Sequence, residues 1–226
     1  MNQPRYAIYA LPEPGSALEA FGRAVLGYDN VSGEAVPQSP GLAEVTAGAR
    51  VYGFHGTLKA PMRLAPGIRE DDLLGEAARV AAAHPPVEVG TLEVAALGRF
   101  VALIPAVPPP ALGLLAAECV ASFEPLRASL TEAERAKRKP ERLSPRARAL
   151  LDRWGYPHVF EEFRFHMTLT DALPPEAQAE WQARLTETYR DSGAEALTIR
   201  SIDILRQDGT APFRLLARIP FGGRHG

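Results

Sequence analysis

The chain has 226 residues, enough to bury a sizeable core as one large domain or two small ones. Its 46% hydrophobic and 23% charged residues exclude a disordered or collagen-like chain. With 25 Lys plus Arg against 27 Asp plus Glu, the formal net charge of −2 argues against a bulk polyanion binder but leaves room for a local basic site. The single cysteine, Cys119, excludes an intrachain disulfide and a cysteine-based metal cage. Together with the lack of any apolar run of about 20 residues, this leads us to expect a cytoplasmic protein with no membrane span.

Residues 5–11, rich in Tyr and Ile and ending before Pro12, are too short for a secretory signal and read as a strand. Ser16 and Glu19 have the capping-box spacing of a helix over 16–26, stopped by Gly27. Residues 29–50 carry turn formers and little periodicity, and read as a loop. Residues 51–59 read as a strand and 70–83 as a helix, with Asp71 and Asp72 in its first turn, where they suit the dipole. Residues 87–95 and 99–106 read as a hairpin turning near Gly98.

The order then recurs. Pro108 to Pro110 introduce an apolar helix over 110–123, in which Cys119 reads as an inert core residue. Residues 131–153 are charged and helical in pattern, with Ser144-Pro145 as a start signal and Gly155 as a stop. Residues 162–170 read as a strand, Pro174-Pro175 open a helix reaching Tyr189, and 197–206 with 211–220 read as a second hairpin. His55 lies 32 residues before Val87, which starts the first hairpin, and His166 lies 31 before Leu197, which starts the second. This repeat gives a single pseudo-symmetric domain over 1–226, with lobes of roughly 1–98 and 99–226 and a charged helical insertion at about 131–153.

His55-Gly56-Thr57-Leu58 and His166-Met167-Thr168-Leu169 share the pattern His-x-Thr-Leu. Two chance matches among five histidines would occur on the order of once in several thousand chains of ordinary composition. On a strand, residues i and i+2 share a face. His55 and Thr57 therefore project together, as do Arg164, His166, Thr168 and Thr170, opposite Phe165, Met167 and Leu169. Two such strands related by a pseudo-twofold place two imidazoles and two hydroxyls around one cleft. That set suits chemistry at phosphorus. One imidazole takes a proton from an attacking water or hydroxyl, the other gives one to the leaving oxygen, and hydroxyls hold the non-bridging oxygens. The scheme needs no metal and no cofactor.

These residues carry a family resemblance. The stretches Tyr52-Gly53-Phe54-His55-Gly56-Thr57-Leu58-Lys59-Ala60-Pro61, Trp154-Gly155-Tyr156-Pro157 and Phe163-Arg164-Phe165-His166-Met167-Thr168-Leu169-Thr170 resemble the 2H phosphoesterase superfamily, which includes RNA ligase-like proteins and cyclic phosphodiesterases. Within it they are most similar to a bacterial branch of unknown-function proteins linked to phosphonate metabolism. The resemblance implies an α+β fold of two lobes, with mainly antiparallel sheets and outer helices around a central cleft. It also implies a phosphoric diester hydrolase in which His55, Thr57, His166 and Thr168 are catalytic. The implied substrate is a small ribose cyclic phosphate, 5-phosphoribosyl 1,2-cyclic phosphate, opened to the bisphosphate. The alternatives are an RNA-end 2′,3′-cyclic phosphodiesterase or ligase-like activity, and a non-catalytic phosphate- or nucleotide-binding protein. Gly56 departs from the pattern, which favours Ala or a larger residue. On a core face, the departure touches packing more than chemistry.

Weaker substrate-binding candidates follow from position. Lys59 shares the face of Thr57 if the strand stays regular; otherwise it is a solvated edge charge. Arg164 shares the face of His166, or else pairs with Glu161 or Glu162. Tyr6 and Tyr9 lie on opposite faces of the first strand, so at most one enters the cleft, and Tyr156 precedes the second motif. His84, His158 and His225 lack the Thr partner and read as a helix end, a turn and a frayed tail. Eight basic residues between Arg135 and Arg153 have only Glu141 and Asp152 for company, and no counterpart in the first half. They are either a solvated face or an insertion over the cleft that supplies cations for a second phosphate. The scarcity of aromatics among them favours a small phosphorylated sugar or nucleotide over a long RNA.

Overall fold

The computed structural model describes residues 3–194 and 196–222; His225 lies outside them. In chain order the strands are β1 (Arg5–Ala10), β2 (Gly56–Met62), β3 (Val87–Gly90), β4 (Leu92–Leu97), β5 (Phe100–Pro105), β6 (Met167–Thr168), β7 (Leu197–Ile199), β8 (Ser201–Gln207) and β9 (Arg214–Pro220). The helices are α1 (Ala17–Leu26), α2 (Leu42–Val45), α3 (Ala47–Arg50), α4 (Glu70–Ala83), α5 (Pro110–Ser122), α6 (Glu132–Lys137), α7 (Pro145–Trp154) and α8 (Pro175–Asp191).

Seven strands pair antiparallel in the order β4-β5-β6-β2-β1-β8-β9, while β3 and β7 form a separate two-stranded sheet. The class is α+β, as expected. Period-2 alternation along β1 sets the two faces of the main sheet. Tyr6, Ile8 and Ala10 join the large core, with Leu18, Phe21 and Val25 of α1, Leu73, Ala77 and Val80 of α4 and Leu112, Leu115 and Cys119 of α5. Ala7, Tyr9 and Leu11 face the other way, where only a small cluster with Leu205 and Phe213 covers them. Helices α1, α4, α5 and α8 pack on the first face, which leaves the second for a cleft.

Local signals explain the element ends. Ser16 Oγ accepts the Glu19 N–H at 3.1 Å, and Gly27 leaves α1 in the left-handed region at φ 67. The Glu19 carboxylate reaches past Ser16 to the Gly15 N–H, so the expected capping box forms only in half. The charged stretch is not one helix. Pro140 disfavours helical backbone at Lys139, and the chain restarts at Ser144, whose hydroxyl caps α7. The loop over 29–50 contains the short α2 and α3. Both hairpins lose their expected first strand as a unit: β3 splits from β4 at Gly90, and β7 splits from β8 at Arg200.

The two motif strands are also shorter at their starts than expected. Residues 51–54 turn, and β2 starts at Gly56; residues 160–162 form a 3-10 turn, and β6 is only two residues long. The two strands are neighbours, joined at Gly56↔Met167. A Cβ on Gly56 would lie 2.3 Å from the Phe165 ring, closer than carbon atoms approach. Glycine here is therefore no packing loss. It is the space through which the second motif's aromatic ring crosses the first motif's strand.

Among the described residues, no helix is long and apolar enough to cross a membrane.

Candidate functional site

Strand adjacency brings both motifs to the open face of the sheet. His55 immediately precedes β2, and His166 immediately precedes β6. The two histidines, Thr57 and Thr168 line one cavity of about 330 Å³. Each ring is oriented by the carbonyl two residues before it: His55 Nδ1 lies 2.8 Å from Gly53 O, and His166 Nδ1 lies 2.8 Å from Arg164 O. A carbonyl only accepts, so Nδ1 carries the hydrogen and Nε2 holds the lone pair of each neutral ring. For His55 that lone pair faces Thr57 Oγ1 at 3.1 Å. Gly53 makes the bend that aims this carbonyl. Its φ is +70, and a Cβ there would strike the Asn30 side chain at 2.6 Å.

The ring of Tyr9 lies flat beneath His55, with centroids 3.6 Å apart and 15° between planes. Burial under Tyr9 and its neighbours, opposed by the Gly53 carbonyl and helped by the nearby His166, lowers the His55 pKa from 6.5 to about 4. Burial lowers the His166 pKa as well, against the Arg164 carbonyl. Unfolded His55 binds a proton near pH 6.5 and the folded residue does not until about 4. Stability is therefore lost as pH falls through that window. Thermal melts across it should show a slope toward lower Tm at acid pH, and His55→Asn should flatten it.

Of the other expected binding residues, Tyr156 lines the same cavity and Tyr9 supports it from below. Tyr6 does not join them. It faces the core, its hydroxyl donates to Glu70 at 2.9 Å, and burial with that carboxylate raises its pKa to about 12. Lys59 does not join them either. Tyr9 opposes Thr57 but Ile8 opposes Lys59, so Leu58 is an extra residue in β2. This bulge turns Lys59 to the core face, beside Ile8, and Ala60 takes its place in the cavity lining. Lys59 is 4% exposed, its Nζ 2.8 Å from Val120 O and 3.0 Å from Glu124. Lys59→Ala should cost about 2 kcal/mol in denaturant unfolding, because Glu124 keeps Arg127 as a partner, and should leave ligand KM unmoved.

Arg164 is exposed and lines a neighbouring recess rather than the histidine cavity, while Glu161 pairs with Arg146 instead. Thr170 lines the cavity, but its hydroxyl accepts the Val101 N–H and donates to Asp171 O. His158 also lines the recess. Arg5, Arg138, Phe100 and Asp171 are among the cavity residues that the sequence reading did not single out. Arg5 shares the β1 face of Tyr9, a signal that the period-2 rule contained. Arg138 belongs to the basic segment. Phe100 comes from β5, with its ring 5.5 Å from His166. The Asp171 carboxylate accepts the Gly48 and Ala49 N–H groups, tying the chain after β6 to α3, the helix before the turn that leads into His55. The recess, of about 480 Å³ and mostly apolar, opens beside the cavity and shares Thr57, Phe100, Tyr156 and His166 with it.

A family model described as "Protein of unknown function (DUF1045)" matches residues 57–214. The chain belongs to this family. DUF1045 membership agrees with the resemblance to a bacterial branch of unknown-function proteins drawn from the motifs. A Janthinobacterium sp. protein named "Ribose 1,5-bisphosphate phosphokinase PhnN" is 42% identical over 99% of this chain and 52% of its own length. A Laribacter hongkongensis protein of the same name is 34% identical over 80% of this chain and 43% of its own. The chain thus spans about half the length of the curated relatives it matches. Among solved structures, a conserved protein of unknown function from Agrobacterium tumefaciens covers 96% of this chain and 87% of its own at 14% identity, with a TM-score of 0.46. A second, described as a phosphoesterase, covers 97% of this chain and 99% of its own at 13% identity, with a TM-score of 0.44.

Proposed function

We propose that this DUF1045 protein is a cyclic phosphodiesterase that opens 5-phosphoribosyl 1,2-cyclic phosphate to ribose 1,5-bisphosphate by two-histidine acid–base catalysis. The observation that carries the reading is the convergence of His55 and His166 on one cavity, each with Nδ1 fixed on a carbonyl, which makes Nε2 the proton-transfer atom; on His55 it faces the Thr57 hydroxyl. His55, stacked on Tyr9 and the more reluctant of the two to protonate, is the base. It takes a proton from water as the water oxygen bonds to phosphorus. His166, in protonated form, gives its proton to the ribose 2-oxygen as the phosphorus–oxygen bond breaks. The product keeps the phosphate on carbon 1 and gains a free 2-hydroxyl. Thr168 donates to a non-bridging oxygen as charge gathers there, and Thr57 does the same once its hydroxyl turns from His55 Nε2 to the substrate.

The relatives' name supports the product. A kinase named for ribose 1,5-bisphosphate consumes the compound this reaction would supply. The kinase itself belongs, in this reading, to the other half of those proteins. Lysines 59, 137 and 139 here follow Leu58, Ala136 and Arg138, so these 226 residues contain no G-x-x-x-x-G-K-[ST] phosphate loop. A second reading, cleavage of 2′,3′-cyclic phosphates at RNA ends, draws on the apolar recess, which has room for a base.

The test is turnover of both substrates with EDTA present, followed by phosphorus NMR. Conversion of 5-phosphoribosyl 1,2-cyclic phosphate, faster than that of a cyclic-ended oligonucleotide and indifferent to EDTA, is expected. The opposite preference would transfer the assignment to RNA ends, and no turnover of either would end the catalytic reading.

A further inference from the structure

The histidine cavity does not end at the histidines. Arg5, Tyr52, Pro61 and Arg138 also line a second cavity of about 820 Å³, and so form the boundary between the two. Both guanidiniums are held in place without a carboxylate. Arg5 donates from Nε to Gln207 Oε1 at 2.8 Å, with a second contact from Nη2, and stands over the Phe213 ring at 5.4 Å. Arg138 stands over the Tyr156 ring at 5.0 Å. Among the described residues, neither is ion-paired.

The acids that line these cavities are occupied elsewhere. Asp171 accepts the Gly48 and Ala49 amides, and Glu134 is paired with Arg63 at 2.8 Å. Two oriented, unneutralised cations thus stand in a protein of formal net charge −2, on the wall of the cavity that holds the proton-transfer pair. Water alone would leave long side chains free to move. Stacking on Tyr156 and Phe213 restrains these two and leaves donors over for a ligand, Arg5 keeping Nη1 and Arg138 its whole fork.

We infer that Arg5 and Arg138 clamp a second phosphate of the substrate, a dianion remote from the reacting phosphorus, and so select small doubly phosphorylated ligands over singly charged cyclic esters. This deepens the function proposed above and rests on it for the identity of the sugar. A guanidinium fork matches phosphate oxygens in pairs, and such charge-assisted bonds are among the stronger polar contacts. The cavity size agrees with a small sugar phosphate reaching from the histidines to the arginines.

The experiment has a kinetic arm and a binding arm. In the first, kcat/KM of wild type, Arg138→Gln and Arg5→Gln is measured on 5-phosphoribosyl 1,2-cyclic phosphate and on ribose 1,2-cyclic phosphate, which lacks the second phosphate. Each variant should lose at least about 30-fold more on the first substrate than on the second, through KM. Equal losses on both would overturn the clamp. Arg138, at the end of the six-residue α6, can be changed without touching the sheet, so its result stands even if Arg5→Gln folds poorly.

The binding arm uses ribose 5-phosphate, which has no cyclic ester, in titration calorimetry. Wild type should bind it and the double variant at least about 30-fold more weakly. Equal binding by the two proteins, or none by wild type, overturns the clamp even if the cyclic substrate is hydrolysed. Arginine-dependent binding without turnover of the cyclic substrate upholds the clamp and removes the proposed reaction instead.

Discussion

Replacing either His55 or His166 by alanine should lower kcat on the proposed cyclic substrate by about 1,000-fold or more, and the double replacement should be little worse than the more damaged single variant. The expectation follows from the unit they form. A base that makes the nucleophile and an acid that frees the leaving oxygen act in one transition state, so losing either forfeits most of what the pair supplies. Losses that multiplied in the double variant, or activity preserved in either single variant, would remove the concerted pair.

The assignment of roles has its own readout. A 4-nitrophenyl phosphodiester has a leaving group that needs no proton. On that substrate His166→Ala should recover to within about tenfold of wild type, while His55→Ala stays impaired. Recovery of His55→Ala instead would exchange the roles. Burial favours the stated order. His55 lies flat on Tyr9, with its pKa lowered to about 4, whereas His166 keeps one side toward the recess and has Phe100 tilted against it.

The sheet positions of the catalytic candidates are legible in sequence because they depend only on period 2. Any strand carrying His-x-Thr puts the two on one face, and the apolar residues between them decide which face is buried. Lys59 breaks the same rule for a reason that the rule cannot contain. A bulge adds one residue to β2 and turns Lys59 and Ala60 to the opposite sides, before a second irregularity restores the register at Met62. The bulge leaves no mark in the local pattern, because Leu58-Lys59-Ala60 reads as regular alternation. The basic segment is legible as charge but not as geometry. Only the break at Pro140 and the stacking on Tyr156 select Arg138, out of eight basic residues, as the one that reaches the cavity. Arg5 is the opposite case: its face follows from Tyr9, and the aromatic neighbours simply draw attention away from it. The placing of β6 between β5 and β2, and of β8 beside β1, is set by long-range pairing, which no local period encodes.

Gly56→Val should cost about 3 kcal/mol in denaturant unfolding, and should lower activity as well. The glycine's backbone is ordinary, so the argument is one of space and not of conformation. A Cβ at this position meets the Phe165 ring at 2.3 Å, and that ring is buried in the large core on the side away from the cavity. The two ways to relieve the clash are to expel Phe165 or to part β2 from β6, which are joined here by Gly56↔Met167. Either one moves His166 relative to His55, since Phe165 and Met167 flank His166 in the chain. Gly56→Ala isolates the smallest version of the same contact, and Phe165→Leu removes the ring edge that it strikes. In a double-mutant cycle, Phe165→Leu should recover at least half of the stability lost in Gly56→Ala, with kcat rising in parallel. Additive losses would mean that the glycine serves something other than the passage of Phe165, and the reason for a glycine inside the first motif would then have to be sought on the cavity side of the strand.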